Sequence, residues 1–462
     1  MTLSRAALSP ILEKGASVWP ISTVLGFASA YIAYPVAERI EKRAISIKLA
    51  ELRRFYRLPT ADRQKISQER LVKILEFAQT KVPYYQDLFR QNALDPQKIA
   101  KDIRYLEDIP FLTKDIIREQ GERMLSRSLS EVRHHANKTG GSTGRSCTFY
   151  YDQVATDYSA AVTLYARERV GKNKFRSELH FATRFPDSPA LTGWFTREDF
   201  KCFAMNRTNI FFDRLDDVGL AQIWKTLNRR KPYLVHAHPS TIYALACYIQ
   251  KQYGAAKVFT IFESSGELLE AYQRDVISKT LGCEVIDRYG LAELGVMAYQ
   301  LDGGEGEMQI FDSECLAESI TFDETDTGFE ELVFTGFRNQ LMPLIRYRTG
   351  DLGHISRNSN GIFLTNVVGR IHDQVSINGI NHATHHIQDI LDHKVGGIQE
   401  FQIDLRTNPP KLRIVPEGPE CLGAITDRVK QFWGMGFELE FIGYQDLVRV
   451  GRHAKFRHVV HP

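Results

Sequence analysis

From about residue 134 to 370 stretches with helical spacing (153–170, 216–229, 239–252, 267–281) alternate with short apolar runs (LHFAT, YLVHAH, KVFTIFESS, CEVIDRYG). Strand-like runs interleaved with helices predict βαβ units and a largely parallel sheet, because parallel neighbours need a crossover and a helix is the usual one. After residue 306 the texture changes to short alternating runs (GEMQIFD, LAESITF, EELVFTG, GHISRN, GIFLTN) broken by Gly, Asn and Asp, which predicts a β-rich part. The last ninety residues (HHIQDILDHKV, EFQIDLR, KLRIVPE, FELEFIG) read as a small α+β unit. The expected fold class is α/β: a large N-terminal domain of mixed and parallel sheets packed with helices, a β-rich subdomain, and a small mobile α+β C-terminal domain. The expected boundaries are 1–58 for an N-terminal helical extension, 59–370 for the large domain and 371–462 for the small one. A chain of 462 residues is long enough for this.

Composition narrows the function classes. With 43% hydrophobic and 25% charged residues the chain is neither disordered, fibrous nor a polytopic membrane protein. Its 59 Lys and Arg against 56 Asp and Glu leave +3, so no global field draws it onto nucleic acid. The 6 cysteines form no C-x-x-C pair and read as reduced thiols in a cytoplasmic protein.

The N-terminus carries two readings. Gly15 to Ala37 holds no charged residue, and its 23 residues could span a bilayer, but Pro20, Pro35 and several Ser and Gly lower its hydropathy. It lacks a compact apolar run with a small-residue cleavage site, so a signal peptide is not expected. Glu38 to Arg57 reads as an amphipathic helix. Residues 1–58 hold nine Lys/Arg and four Asp/Glu. Two helices packed on the body are the favoured reading; a peripheral membrane contact is the other. Residues 67–95 read as helical with a break at Pro83, and Thr113 as the cap of a short helix.

Six strings carry candidate chemistry. In NKTGGSTGRSCTFYYD, Thr139, Gly140, Gly141, Ser142, Thr143 and Gly144 combine hydroxyls with a backbone free to form an anion-binding concavity. It is no Walker loop, and alone it could be a turn. In FESSGELL a strand is expected to end at Ser264–Gly266 with Glu267 opening a helix, the place where open α/β sheets bind ligands; an ordinary turn capped by Ser265 is the alternative. DRYGLAELG offers the Tyr289 ring beside Gly290, and Glu293 as a hard oxygen ligand. YRTGDLG holds Asp351 between glycines, VVGRIHD holds Arg370 and His372, and GRHAKFRHVV holds Lys455 in a tail with no acid after Asp446. His236 and His238 in VHAHPS either approach a ligand pocket or are satisfied locally. His382, His385, His386 and His393 read as a polar helix flank and pocket lining rather than a metal site.

In order and spacing these strings resemble the adenylate-forming superfamily. The VPYY and DIPFLTK segments resemble its branch of phenylacetate–CoA ligase, coenzyme F390 synthetase and CapK-type proteins, over about residues 65–462. The resemblance implies an AMP-forming enzyme that activates a carboxylic acid as acyl-AMP, most often for transfer to CoA. Transfer to an amine or a carrier-protein thiol, nucleotidyl transfer, or a non-catalytic binding role are the alternatives. It further implies ATP and Mg²⁺, with CoA as co-substrate. Thr139–Gly144 would bind phosphate. Ser265, Gly266, Glu267, Tyr289 and Gly290 would line the adenine pocket, Glu293 would hold Mg²⁺ and Asp351 the ribose hydroxyls. Arg370 would contact the nucleotide near the hinge, and Lys455 would be the mobile lysine of adenylation. The relatives' Gly-Arg-x-Asp-Asp is here Gly369-Arg370-Ile371-His372-Asp373, which puts a titratable His372 at the hinge. No Cys lies in 294–310, so no structural zinc is expected. Residues 180–195 and 202–212 are expected to line the acid pocket, with an aromatic or apolar acid suggested by their Phe and Trp content. A homodimer is left open.

Overall fold

The computed structural model describes residues 21–139, 147–183, 196–212, 217–301, 306–321, 330–370, 374–378, 380–383, 387, 390–450 and 455–460. The predicted alternation becomes a five-stranded parallel sheet in the order Arg207–Phe212, Glu178–Thr183, Leu234–Ala237, Ile261–Ser264, Glu284–Ile286. In chain order this is 2-1-3-4-5, so the connection direction switches between Glu178–Thr183 and Leu234–Ala237, the place where open α/β sheets bind ligands. Helices Asp217–Arg230, Pro239–Tyr253 and Ala271–Leu281 pack around Leu179, Val235, Phe262 and Val285. Helix Gln153–Arg169 brings Ala161, Val162 and Tyr165 to a separate core with Leu234, Ile261 and Ile286.

The β-rich part is a seven-stranded antiparallel sheet whose centre is the long pair Tyr347–Asn358 and Gly361–Arg370. Its core takes in helices Thr60–Lys81 and Pro83–Gln91, separated at Val82 because Pro83 cannot continue the preceding hydrogen-bond ladder. Thr113 caps the helix Lys114–Gln120 by accepting from the Ile116 N–H at 3.3 Å. A hairpin of His134–Thr139 and Cys147–Asp152 leads to and from the residues 140–146, which lie outside the described residues. The C-terminal unit is a four-stranded sheet, Glu438–Phe441, Lys411–Pro416, Ile398–Asp404, Val459–Val460, covered by helix Leu422–Trp433.

Two local expectations are corrected. The helix predicted from Glu38 to Arg57 is interrupted: one helical run ends at Ile40 and another, Ile45–Phe55, begins after a turn. The turn is held by Asp157, which accepts from the Ala44 N–H at 2.7 Å and pairs with Arg43. Glu267 does not open the next helix; that helix starts at Ala271, capped by Glu270 and Gln273 reciprocally. Gly266, at φ +85°, turns the chain away from helical geometry first. None of the six cysteines is in a disulfide.

Candidate active site

Two tyrosine–carboxylate pairs form the centre. Tyr289, on the strand Arg288–Leu291, donates its hydroxyl to Asp351 Oδ2 at 2.8 Å. Asp351 lies on Tyr347–Asn358, and its own N–H donates to Thr349 Oγ1 at 3.0 Å. Tyr347, at the start of that strand, donates to Glu293 Oε1 at 2.7 Å. Glu293, 3% exposed, also faces Lys114 Nζ at 3.6 Å. Burial raises both tyrosine hydroxyls well above the phenol range, and Asp351 adds to this at Tyr289 and Glu293 at Tyr347, so both remain donors. The two hydrogen bonds tie the segment 289–293 to 347–351 twice, which places the two carboxylates in one neighbourhood.

Gly290 sits beside Val296 in the ladder next to Tyr289. The Tyr289 ring is buried against Phe334, with centroids 6.0 Å apart, so the free aromatic face expected there is already covered on that side. Ala292, between the pairs, is fixed from below: its carbonyl accepts from Asn137 Nδ2 at 3.0 Å and from the Tyr151 hydroxyl. The hairpin with the candidate phosphate loop is thereby tied to the Glu293 turn.

At the carboxyl edge of the parallel sheet, the Ser265 N–H donates to the Ala237 carbonyl at 3.1 Å. Glu267 accepts from the Ser240 N–H at 3.2 Å and lies 3.8 Å from His238 Nδ1, so it meets the N-terminus of helix Pro239–Tyr253. His236 belongs to the core instead. It sits 2.8 Å from Glu263, and burial pushes its imidazole down to about 3 against the opposing Glu263 hydrogen bond. Glu263 is shared by Arg167 at 2.7 Å, Arg288 at 3.3 Å and the Tyr299 hydroxyl at 2.6 Å.

For Arg370 and Lys455 the backbone alone is described. Arg370 is the cross-strand partner of Asp351, and Lys455 pairs with Val450. Gly140 to Gly144 and His372 lie outside the described residues, as do residues 184–195 of the expected acid pocket, the side chain of Thr139, His385 and His386, and the side chains of His382 and His393. Among the described residues no group of three or more His, Cys, Asp or Glu could hold a metal ion. A single carboxylate such as Glu293 suits Mg²⁺, since that ion takes one or two carboxylates and fills its shell with water and phosphate oxygens.

Lys114 and Tyr347 are additions to the sequence-derived set. Both stand inside quoted motifs, DIPFLTK and YRTGDLG, but only the fold shows that they converge on Glu293.

Comparison with known proteins comes out as follows. No protein-family model matches the chain. Protein CapK of Staphylococcus aureus is 23% identical over 299 residues, 62% of each chain, so the match spans about three fifths of that relative's length. Phenylacetate-coenzyme A ligase of Thermus thermophilus is 24% identical over 76% of this chain and 79% of its own. Among solved structures, 2-hydroxyisobutyryl-CoA ligase in the postadenylation state aligns with a TM-score of 0.65 at 20% identity, over 88% of this chain and 90% of that one. The same ligase with 2-HIB-AMP and CoA in the thioesterification state aligns with a TM-score of 0.54 at 19% identity, over 87% and 90%. These likenesses show the fold: the chain is folded as 2-hydroxyisobutyryl-CoA ligase is. In sequence it is similar to phenylacetate-coenzyme A ligase and to protein CapK.

Proposed function

We propose that the protein activates a carboxylic acid with ATP as an acyl-adenylate and passes the acyl group to CoA. The observation that supports this reading is the convergence of Asp351 and Glu293, each held by a tyrosine hydroxyl, where the segments 289–293 and 347–351 are tied together twice. Attack of a carboxylate on the α-phosphate brings two anions together, so the work of the site is positioning and charge neutralisation. Mg²⁺ held through Glu293 would neutralise phosphate charge. Tyr289 fixes one oxygen of Asp351 and so aims the carboxylate at a sugar diol. Lys114, 23% exposed beside Glu293, is a second cation for the same charge. Thr139–Gly144 would cradle the phosphates, with Ser265, Gly266, Glu267, Tyr289 and Gly290 around the base and Arg370 at the nucleotide. Lys455 would reach the reacting groups from the unit 371–462, which then moves to admit the acceptor.

A screen of carboxylic acids for ATP–pyrophosphate exchange, followed by addition of CoA, tests the reading. Exchange with at least one acid and a thioester product is expected. Exchange without a thioester shifts the acceptor to an amine or a carrier protein. Absence of ATP binding by calorimetry overturns adenylation altogether.

A further inference from the structure

The N-terminal helical run inverts the usual arrangement of a packed amphipathic helix. It comprises Ile21–Ala28, a π turn Ser29–Ala33 and Tyr34–Ile40. Its inward side is made of small residues. Gly26 lies so close to the body that a Cβ would stand 2.4 Å from the Phe175 carbonyl oxygen, and Ser29 and Ala33 are buried. Ala33 and Tyr34 pack on Ala204, with Phe200 and Phe203 around them. The large apolar residues point the other way: Val24, Phe27, Tyr31, Ile32, Val36 and Ile40 are between 46% (Val36) and 66% (Ile40) exposed. The extra residue of the π turn lets Tyr31 and Ile32 both join this outer face. An ordinary surface helix does the opposite, burying its large apolar residues.

The flank of the stripe is basic. Glu38 is occupied by the Ser46 N–H and hydroxyl, at 2.5 and 2.6 Å, and Glu41 pairs with Arg197 and Arg133. Arg39 and Lys42 are exposed with no ion-pair partner among the described residues. From Val24 to Ile40 the stripe runs about 24 Å at helical rise and is one helix wide, about 10 Å. Some 240 Å² falls far short of the roughly 800 Å² per partner that a stable protein interface needs. A narrow apolar row with cations at its end matches the boundary between lipid headgroups and acyl chains.

We propose that the outer face of residues 24–40 lies on an anionic lipid surface and holds the protein there as a peripheral membrane protein. Among the described residues no helix is long and apolar enough to cross a membrane, so the contact is a lying one. The inference is independent of the reaction proposed above.

The test is flotation of the full chain with phosphatidylcholine vesicles, with and without phosphatidylglycerol. Binding is expected, strengthened by the anionic lipid. The triple variant Phe27→Ser, Tyr31→Ser, Ile32→Ser should lose about tenfold in bound fraction, since interfacial affinity scales with apolar area inserted. Arg39→Gln with Lys42→Gln should bring binding on anionic vesicles down towards the neutral level. Thermal unfolding of each variant should match the parent, because the altered side chains face away from the body. The proposal is overturned if the parent floats with neither vesicle, if the triple variant floats as the parent does, or if only deletion of residues 2–20 abolishes flotation. A lipid-free dimer seen by light scattering and abolished by the triple variant would assign the stripe to self-association and also overturn it.

Discussion

Asp351 shows how much a single carboxylate can be asked to do. One of its oxygens is engaged by Tyr289, so Asp351→Ala removes both an acceptor for a sugar diol and the partner of a buried phenol. A hydrogen bond to a charged group is worth about 1.5–3 kcal/mol, so ATP affinity should fall roughly ten- to a hundredfold by calorimetric titration. Tyr289→Phe, which keeps the acceptor, should weaken binding less. Unaltered affinity in Asp351→Ala would remove the residue from the nucleotide site. Lys455→Ala should lower pyrophosphate release on the order of 10²–10³, the usual cost of losing one electrostatic contact to a transition state, with folding unchanged. Asp351 and Lys455 are candidates that motif order alone singles out. Lys114 and Tyr347 are not, because their roles depend on a distance to Glu293 that no local pattern encodes.

At the scale of the element, periodicity read the chain well where structure is local. The parallel strands, the break at Pro83 and the Thr113 cap follow from alternation and capping chemistry. The helix predicted across residues 41–44 failed because a tertiary partner, Asp157, overrides propensity there. The charged ladder inside the parallel sheet was invisible too. Glu178 and Glu263, on strands either side of Leu234–Ala237, hold Arg167, whose side chain is 2% exposed. Burial favours the neutral carboxyl at Glu263, but Arg167 overrides this and holds it well below the usual range. Glu263→Ala leaves that guanidinium half-compensated in the core. Breaking a buried pair from one side costs about 3–5 kcal/mol, so the urea midpoint should drop accordingly. A midpoint within error of the parent would mean that Glu178 alone satisfies Arg167. The helix Ile45–Phe55 makes a related point. Leu49 and Leu52 are buried in the core with Ala161 and Tyr165, so a chain starting near residue 58 should unfold more readily than one starting near residue 43. Thermal melts of the two truncations decide it. Residues 1–58 bear none of the six motifs, yet their last helix serves the core.

Over the whole molecule, the C-terminal unit is clasped to the large one through Glu400. Its carboxylate accepts from the Tyr272 hydroxyl at 3.1 Å and from His458 Nε2 at 3.0 Å, while the Tyr444 hydroxyl reaches the Ser240 carbonyl. His458 also faces Glu270 and Glu267, and stacks on Phe401. Burial alone would depress the imidazolium; the Glu400 hydrogen bond and charge, then Glu270 and Glu267, outweigh it and raise His458 above its usual value. A raised folded value means the clasp is at full strength below the ordinary imidazole pKa of about 6.5 and weakens as pH rises through the higher folded value. Hydrogen exchange at the Tyr272–Gln273 amides should therefore quicken across that interval. Glu400→Gln should flatten the dependence, and a parent profile with no step would exclude His458. The sequence-based candidate for such behaviour, His372, can be compared through His372→Asp: if the pH profile of acyl transfer is the same in both proteins, the hinge histidine has no special function. Motif spacing suggested a candidate pivot but gave no sign of the clasp, since Glu400, Tyr272 and His458 are brought together only by tertiary packing.

Asp351 and Arg370 are facing neighbours in one antiparallel ladder. Adjacent strands are about 5 Å apart, so whatever Asp351 holds sits one strand-width from the point where the chain leaves for its C-terminal unit. On the proposed role, no long-distance relay is then needed for nucleotide occupancy to be felt by the moving part. On that proposal the sugar seat and the axle would be the same hairpin, and a ligand in the seat would act as a brake on the axle itself.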